Sequence, residues 1–450
     1  MTTLASAITT PDPAALEEWL DETPDRGDRE RQLRELATPD RTRLVAALQP
    51  QLADRLLAVI EPRTAANLLT SASPATAAGL LAALDSDIAA DILRELPEST
   101  AVALIGALPP ARALVLNGLL SWPPDSAAAH MVPEALVISK DQDVDSALRQ
   151  LREQTAAAPV DSLAAAYVYV VDDDRRLLGV VSLQHLVLAA PGTPVTDLTE
   201  TDIITVTADT DEEVAARTLT DNRLAALPVI DENSTLLGVI TADVAADIVE
   251  DETTEDAERQ GGSEPLDVPY LDASPVRLWR KRVIWLLVLF IAEAYTGTVL
   301  RYFEDELDAV VSLAFFIPLL VGTGGNTGTQ ITTTLVRAAS TGEVGLRDLR
   351  KVLPKELSAA VMISATMAAV GLVRAWTLGV GWPVMITVSI SLAAIVLWSA
   401  LVASILPLLL TKTRIDPAVV SAPMIATIVD GTGLLIYFMI AKAIIPELGQ

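Results

Sequence analysis

Hydrophobic and polar positions divide this chain into three textures, and each predicts a different kind of structure. From Leu44 to Leu120 a period of about twelve residues is marked by Pro50, Pro62, Pro74, Asp85-Ser86, Pro97 and Pro109, with a pattern close to Pro-x-x-Ala-x-x-Leu-Leu-x-x-Leu between marks. Proline suits the first turn of a helix, so each step predicts a short helix and a tight turn, and the stack predicts an α-solenoid whose Leu faces are buried only against neighbours. Ahead of it, a short helix is expected around Pro13 to Leu20, followed by a charged connector. The second texture is a duplicated unit of strand, turn, strand and helix. It reads Ala166 to Val171 and Leu177 to Ser182 in the first copy, Ala226 to Asp231 and Leu236 to Thr241 in the second, with a helix before each copy at Val144 to Gln154 and Glu212 to Thr220. Thr241 to Gln260 then continues as an acidic helix that Gly261-Gly262-Ser263 ends. The third texture is five apolar segments, about Val283 to Tyr302, Val310 to Val336, Leu357 to Val373, Val384 to Leu410 and Val419 to Ile445, each able to cross about 30 Å of hydrocarbon.

These textures set expected boundaries: a helical solenoid over 1–130, two α/β modules over 131–192 and 193–250, a connecting helix and linker over 251–278, and an all-α transmembrane domain over 279–450. Arg277, Arg280, Lys281 and Arg282 precede the first crossing, which places its start in the cytoplasm. Five crossings then put the carboxyl end outside. The loops agree, with Arg337, Arg347, Arg350, Lys351, Lys355, Lys412 and Arg414 inside and Glu304, Asp305, Glu306 and Asp308 outside. The first residues carry Asp, Glu and Arg without an apolar core, so no secretory signal is expected and the first half is expected to be cytoplasmic.

Composition narrows the chemistry. The chain of 450 residues has no cysteine and two histidines, which excludes disulfides, thiolate metal sites and Cys nucleophiles, and leaves oxygen as the ligand for any bound metal. A net charge of -27 argues against nucleic acid as a partner and is compatible with a cation-handling surface. No nucleophile with a matched base is evident, so an enzyme is not expected.

Two intramembrane features carry the functional reading. Pro318 to Gln330 holds Gly322, Gly324, Gly325 and Gly328 within seven residues and adds Asn326, Thr327, Thr329 and Gln330. Glycines weaken a helix at a depth where bare backbone has no water, so the stretch predicts either a small-residue packing face or irregular backbone lining a watery path. Taken as one wall of a permeation pathway, it nominates Gly324, Gly325, Asn326 and Gly328 as lining residues. Asp430, in Ala426-Thr427-Ile428-Val429-Asp430-Gly431, stands in the last crossing with no basic residue near it in sequence. A carboxylate there costs about 2.5 to 3.5 kcal/mol on insertion scales, so it must face water, a cation or a proton. Thr427 is expected to line the same path, and Asp416 stands at its cytoplasmic entrance or caps a helix. Glu293, in the first crossing, either lines the path or is protonated toward lipid.

The Leu-Pro-Val-Ile-Asp and Leu-Leu-Gly-Val-Ile-Thr segments resemble a tandem CBS-domain pair. Many such pairs bind adenine nucleotides through an Asp three residues after the second strand, but His185 and Val244 hold those positions here. ATP at the pair therefore stands beside a module that reads cations alone. Pro318 to Gln330, Asp416-Pro417-Ala418, and Asp430-Gly431 with Tyr437-Phe438, in the order solenoid, CBS pair, acidic helix and five crossings, resemble the MgtE family of magnesium channels and transporters over nearly the whole chain. The resemblance implies a homodimer in the cell membrane with a pore on its two-fold axis, Asp430 and the carbonyl of Ala426 on the hydrated Mg2+, and a magnesium-sensing set of Asp87, Asp91, Glu213, Asp247, Glu252, Glu255 and Asp256. Read by themselves, Asp87 and Asp91 share a helix face and the acidic helix is a run of repelling charges, both equally at home in solvent. An ion-coupled carrier of cobalt, manganese or magnesium on the same fold is the alternative, and a membrane-anchored sensor without transport the more distant one. Thr329, Ala422, Arg223, Val244 and Glu293 depart from the family pattern.

Overall fold

The computed structural model describes residues 4–9, 13–157, 163–412 and 421–448. It divides into two compact units, Met1–Asp251 and Glu252–Gln450.

The first unit opens with α1 (Leu4–Thr9), α2 (Pro13–Glu22), α3 (Arg26–Arg34) and α4 (Thr38–Ala47). The expected charged connector is thus helical in part: Asp25 caps α3 by accepting from Asp28 N at 2.8 Å, and Arg29 is buried with its guanidinium on the carbonyls of Thr23, Leu20 and Arg55. The periodic region forms α5 (Pro50–Leu57), α6 (Pro62–Leu69), α7 (Pro74–Leu81), α8 (Ser86–Arg94), α9 (Glu98–Ala107) and α10 (Pro110–Leu120). Proline occupies the first turn of α5, α6, α7 and α10, where its missing N–H has no partner to lose. The repeat falls in register in the core. Ala53, Ala65, Ala77 and Ala89 are buried at one position, Leu56, Leu68, Leu80 and Ile92 at the next. Each such Leu or Ile contributes about 1.5 to 3 kcal/mol by leaving water, and only a neighbouring helix supplies the cover.

Among the described residues the two α/β modules each hold a three-stranded sheet. In the first, β1 (Val137–Ser139) pairs parallel with β2 (Tyr167–Val171), which pairs antiparallel with β3 (Leu177–Ser182). Helices α11 (Val144–Ala157) and α12 (Leu183–Leu188) pack on it. In the second, β4 (Val206–Thr207), β5 (Ala226–Ile230) and β6 (Leu236–Thr241) repeat the order, with α13 (Glu212–Asp221) after β4 and α14 (Ala242–Gln260) after β6. The short leading strands β1 and β4 are additions to the expected unit, since three and two residues are too few to show a period. The acidic turns are Asx turns. Asp172 accepts from the N–H groups of Asp174 and Arg176, and Asp231 from those of Asn233 and Thr235, all at 2.7 to 3.0 Å. The solenoid core runs on into the second sheet, and Ala127 N donates to Thr210 O at 2.7 Å beside it.

Among its described residues the second unit holds five helices long and apolar enough to cross a membrane. They are α15 (Pro275–Tyr302), α17 (Ile317–Ser340, entered through a 3-10 turn at Val311–Phe316), α18 (Leu349–Thr377), α19 (Trp382–Lys412) and α20 (Ala422–Ile444), with the short α16 (Glu304–Ala309) after α15. Helices α17, α19 and α20 pack on one another; α18 lies against α19, and α15 against α20.

One expectation is overturned here. Pro318 to Gln330 is not irregular backbone but the first half of α17. Four glycines lower helix propensity by about 1 kcal/mol each, whereas an unpaired backbone group in hydrocarbon costs several, so the ladder is kept. The glycines act instead through close approach. A methyl group at Gly324 would lie 2.6 Å from Ile395 Cγ2 and 2.8 Å from Val429 Cγ1; one at Gly328 would lie 2.5 Å from Ile425 Cγ2 and 2.8 Å from Ser399 Oγ. Ser399 Oγ also donates to Gly324 O at 2.7 Å, a buried bond between α19 and α17.

Candidate functional site

Helix α20 carries the intramembrane carboxylate. Ser421 caps its first turn by accepting from Met424 N at 3.4 Å, and Pro423 follows within that turn. Ile425, Val429, Leu434, Tyr437, Phe438 and Ala441 then bury one face. Tyr437 Oη donates to Leu313 O at 3.0 Å, and Phe438 stacks on Phe303 with centroids 4.7 Å apart. With that face locked, Ala426, Thr427 and Asp430 are turned to a half-buried one.

Across this face stands Gly325. A methyl group there would meet Ala426 Cβ at 3.4 Å and Asp430 Oδ1 at 3.6 Å, ordinary contact distances, so this face of α17 borders the carboxylate. Gly325, Ala426 and Asp430 are therefore brought together, and Asn326, the next residue of α17, is exposed. Gly324 and Gly328 are not on this face. They are buried in helix packing, the bland reading of the stretch, which corrects their nomination as lining residues. Thr427 Oγ1 donates to Pro423 O at 3.0 Å and so satisfies its own helix. Asp416 lies outside the described residues. Among the described residues no Lys or Arg acts on Asp430; the charged group that does is another acid, Glu293 of α15.

The nominated sensing residues of the first unit gather around α8. Asp87 is 6% exposed, and its Oδ1 has no hydrogen-bond partner. Burial pushes its pKa up to about 7, with the neighbouring charges of Asp91 and Asp85 adding to the rise. Asp91 pairs with Arg94 Nη1 at 2.5 Å; burial raises its pKa against the lowering pull of His130 and Arg94. Asp247 feels Asp91, Asp243 and Glu250 as like charges and Arg26 as a favourable one, but burial is the first cause of its raised pKa. Asp87, Asp91 and Asp247 thus fall in one acidic neighbourhood, whereas Glu213 turns to Arg217. Three neighbours of this set were not nominated from the sequence. His130 Nε2 lies 2.6 Å from Glu212 and its Nδ1 lies 4.0 Å from Asp91, and Asp251 feels Asp247 and Glu212. Their signal was a single His and acids within a longer acidic run, neither of which stands out from solvent-exposed charge. In the second unit, Glu255 pairs with Arg259 one turn on, and Glu252 and Asp256 lie on the same helix. Among the described residues no group of three or more His, Asp or Glu is close enough to hold a metal ion. The fit to a hard cation is in the donors: buried carboxylates with raised pKa and an orphaned oxygen on Asp87 match the oxygen preference and charge of Mg2+.

A family model described as a divalent cation transporter matches residues 317–440, one for the MgtE intracellular N domain matches 25–125, and CBS-domain models match 127–192 and 195–244. These family models, with five membrane-length apolar helices among the described residues, define a membrane transporter of divalent cations with an MgtE N domain and a CBS pair. The chain is 40% identical over 324 residues to the magnesium transporter MgtE of Thermus thermophilus, covering 71% of this chain and 70% of that one. It is 32% identical over 334 residues to the magnesium transporter MgtE of Bacillus subtilis, covering 73% and 72%. The crystal structure of the soluble part of a magnesium transporter aligns with a TM-score of 0.49 at 29% identity, covering 55% of this chain and 96% of that one. The chain belongs to the MgtE family of magnesium transporters.

Proposed function

We propose that this protein is a homodimeric magnesium channel that passes hydrated Mg2+ beside Asp430 and closes when internal Mg2+ binds its acidic cytosolic half. The observation that carries the reading is Asp430 itself, half-buried against Gly325 and Ala426 inside a membrane helix, with an acid rather than a base as its charged neighbour. An intramembrane carboxylate without a basic partner is tolerable when a cation or water neutralises it. Magnesium sheds its waters reluctantly and is usually held by one or two carboxylates through them, so a lone Asp from each of two copies, with the Ala426 carbonyl nearby, suits the hydrated ion. The basic cluster Arg277, Arg280, Lys281 and Arg282 supports an amino-terminal half in the cytoplasm and a carboxyl end outside.

Closure follows from charge. Asp87, Asp91 and Asp247 share one acidic neighbourhood of the first unit, and Mg2+ bound among them favours the arrangement that brings them closest. ATP at the CBS pair would act on the same equilibrium, but His185 and Val244 stand where many nucleotide-binding CBS pairs carry an Asp, so cations suffice in this reading.

Asp430→Asn in proteoliposomes tests the permeation reading. It is expected to abolish Mg2+ flux while the protein elutes as wild type does, and undiminished flux refutes the assignment. The alternative, an ion-coupled carrier, draws on the nearness of Glu293 to Asp430. Single-channel currents separate the two, because a carrier shows none.

A further inference from the structure

The α15–α20 seam holds a second polar constellation. Trp285 of α15 and Pro423 of α20 both flank Gly262, where an added methyl group would lie 2.8 Å from Trp285 Nε1 and 3.2 Å from Pro423 Cγ. Farther along, a methyl group at Gly431 would lie 2.5 Å from Tyr295 Cδ1 and 3.0 Å from Thr296 Oγ1. Sequence number rises in the same direction along both helices, so they run parallel. Glu293 then lies one turn before Thr296 on the same face of α15, level with the turn that precedes Gly431. Side chains lean toward the helix amino terminus, so Asp430 leans toward that level as well. Glu293 is half-buried rather than turned wholly outward, and it is the charge that reaches Asp430. Thr296 is 9% exposed, and its Oγ1, at the seam beside Gly431, is buried with no hydrogen-bond partner, although a helical Thr ordinarily bonds back to its own ladder.

We infer that Glu293, with Thr296 beside it, is a second binding station for the divalent cation, one turn from Asp430. An ion at either station offsets the repulsion between the two acids, and Thr296 supplies an oxygen for the water that the ion retains. This answers the two readings open for Glu293 in the sequence in favour of the path. The inference rests on the permeation reading, and the experiment keeps the two apart.

Full-length protein in proteoliposomes is compared as wild type, Glu293→Gln, Glu293→Asp and Asp430→Asn, reading initial Mg2+ uptake against Mg2+ concentration. Removing one of two charges from a partly buried site for a divalent ion weakens binding by about tenfold or more. Glu293→Gln is therefore expected to raise the half-saturating Mg2+ by about that factor, and Glu293→Asp to recover most of the loss. The chain has no cysteine, so Glu293→Cys supplies a single thiol and a readout besides flux. A water-soluble cationic thiol reagent is expected to modify it, and saturating Mg2+ to slow the reaction. Loss of flux in Asp430→Asn with unchanged half-saturation in Glu293→Gln overturns the second station alone. A thiol that does not react, or reacts at a rate Mg2+ leaves unchanged, overturns it too. Retained flux in Asp430→Asn removes the permeation reading beneath it.

Discussion

Asp87 offers a prediction whose size is set by the structure. It sits in the first turn of α8, 6% exposed, with one oxygen unpartnered and its pKa raised from 3.8 to about 7 chiefly by burial. Below pH 3.8 the carboxyl is protonated whether α8 is folded or open, and it has no effect. Between there and about pH 7 the open form has released its proton while the folded form keeps it, so stability falls as pH rises. Above pH 7 both forms are ionised and the full destabilisation is present. At about 1.4 kcal/mol per pH unit, the bound is about 4 kcal/mol, and relaxation of the surroundings lowers it.

Asp87→Asn keeps the shape and removes the charge. Amide exchange of α8 in the full-length protein, without Mg2+ and corrected for intrinsic rates, is expected to match wild type near pH 4. At pH 8 the variant is expected to be more protected, by about tenfold to a thousandfold, corresponding to about 1.4 to 4 kcal/mol. Added Mg2+ is expected to narrow the gap, because an ion at Asp87 relieves in wild type what the substitution has already removed. Lower protection of Asp87→Asn than of wild type at pH 8, or the same pH slope in both, refutes the reasoning.

Replacing Asp247, Glu252 and Glu255 together by Asn and Gln is expected to leave currents open at internal Mg2+ that closes wild type; patch recordings at two internal concentrations read this, and normal closure counts against gating by these acids. Gly324→Ala is expected to destabilise the detergent-solubilised protein by about 1 to 3 kcal/mol through overpacking on Ile395 and Val429, read as thermal unfolding. Gly322→Ala in the same helix meets nothing within 4 Å and is expected to be neutral or stabilising by up to about 1 kcal/mol, so equal stability of the two variants contradicts the packing role.

Legibility in the sequence followed the strength of each period. The twelve-residue repeat placed Ala53, Ala65, Ala77 and Ala89 at one buried position because proline marked every step but one. The paired strands Leu177–Ser182 and Leu236–Thr241 were read to the residue because an acidic turn precedes each and the two copies repeat the same pattern. Helix α3 escaped because Arg29 and Glu30 are buried by partners distant in sequence: Arg29 on carbonyls of Leu20 and Arg55, Glu30 on Glu61 N at 2.8 Å. Charge read along the chain looked like a solvated connector; charge satisfied across it is core.

The Gly-rich stretch was misread for a related reason, and its correction bears on how the site works. Local propensity favoured irregular backbone, yet the helix persists because hydrocarbon penalises an unpaired amide more than glycine penalises a helix. What the missing side chains change is distance. Gly324 and Gly328 draw α17 against Ile395, Ser399, Ile425 and Val429, and Gly325, on the adjoining face, borders Ala426 and Asp430 at ordinary contact distance. Adjacent glycines thus face different neighbours, one set fixing the separation of two rigid helices and the other bordering the carboxylate. A carboxylate held in that way keeps its place without a basic partner to hold it, which is the condition for an ion to be the group that neutralises it.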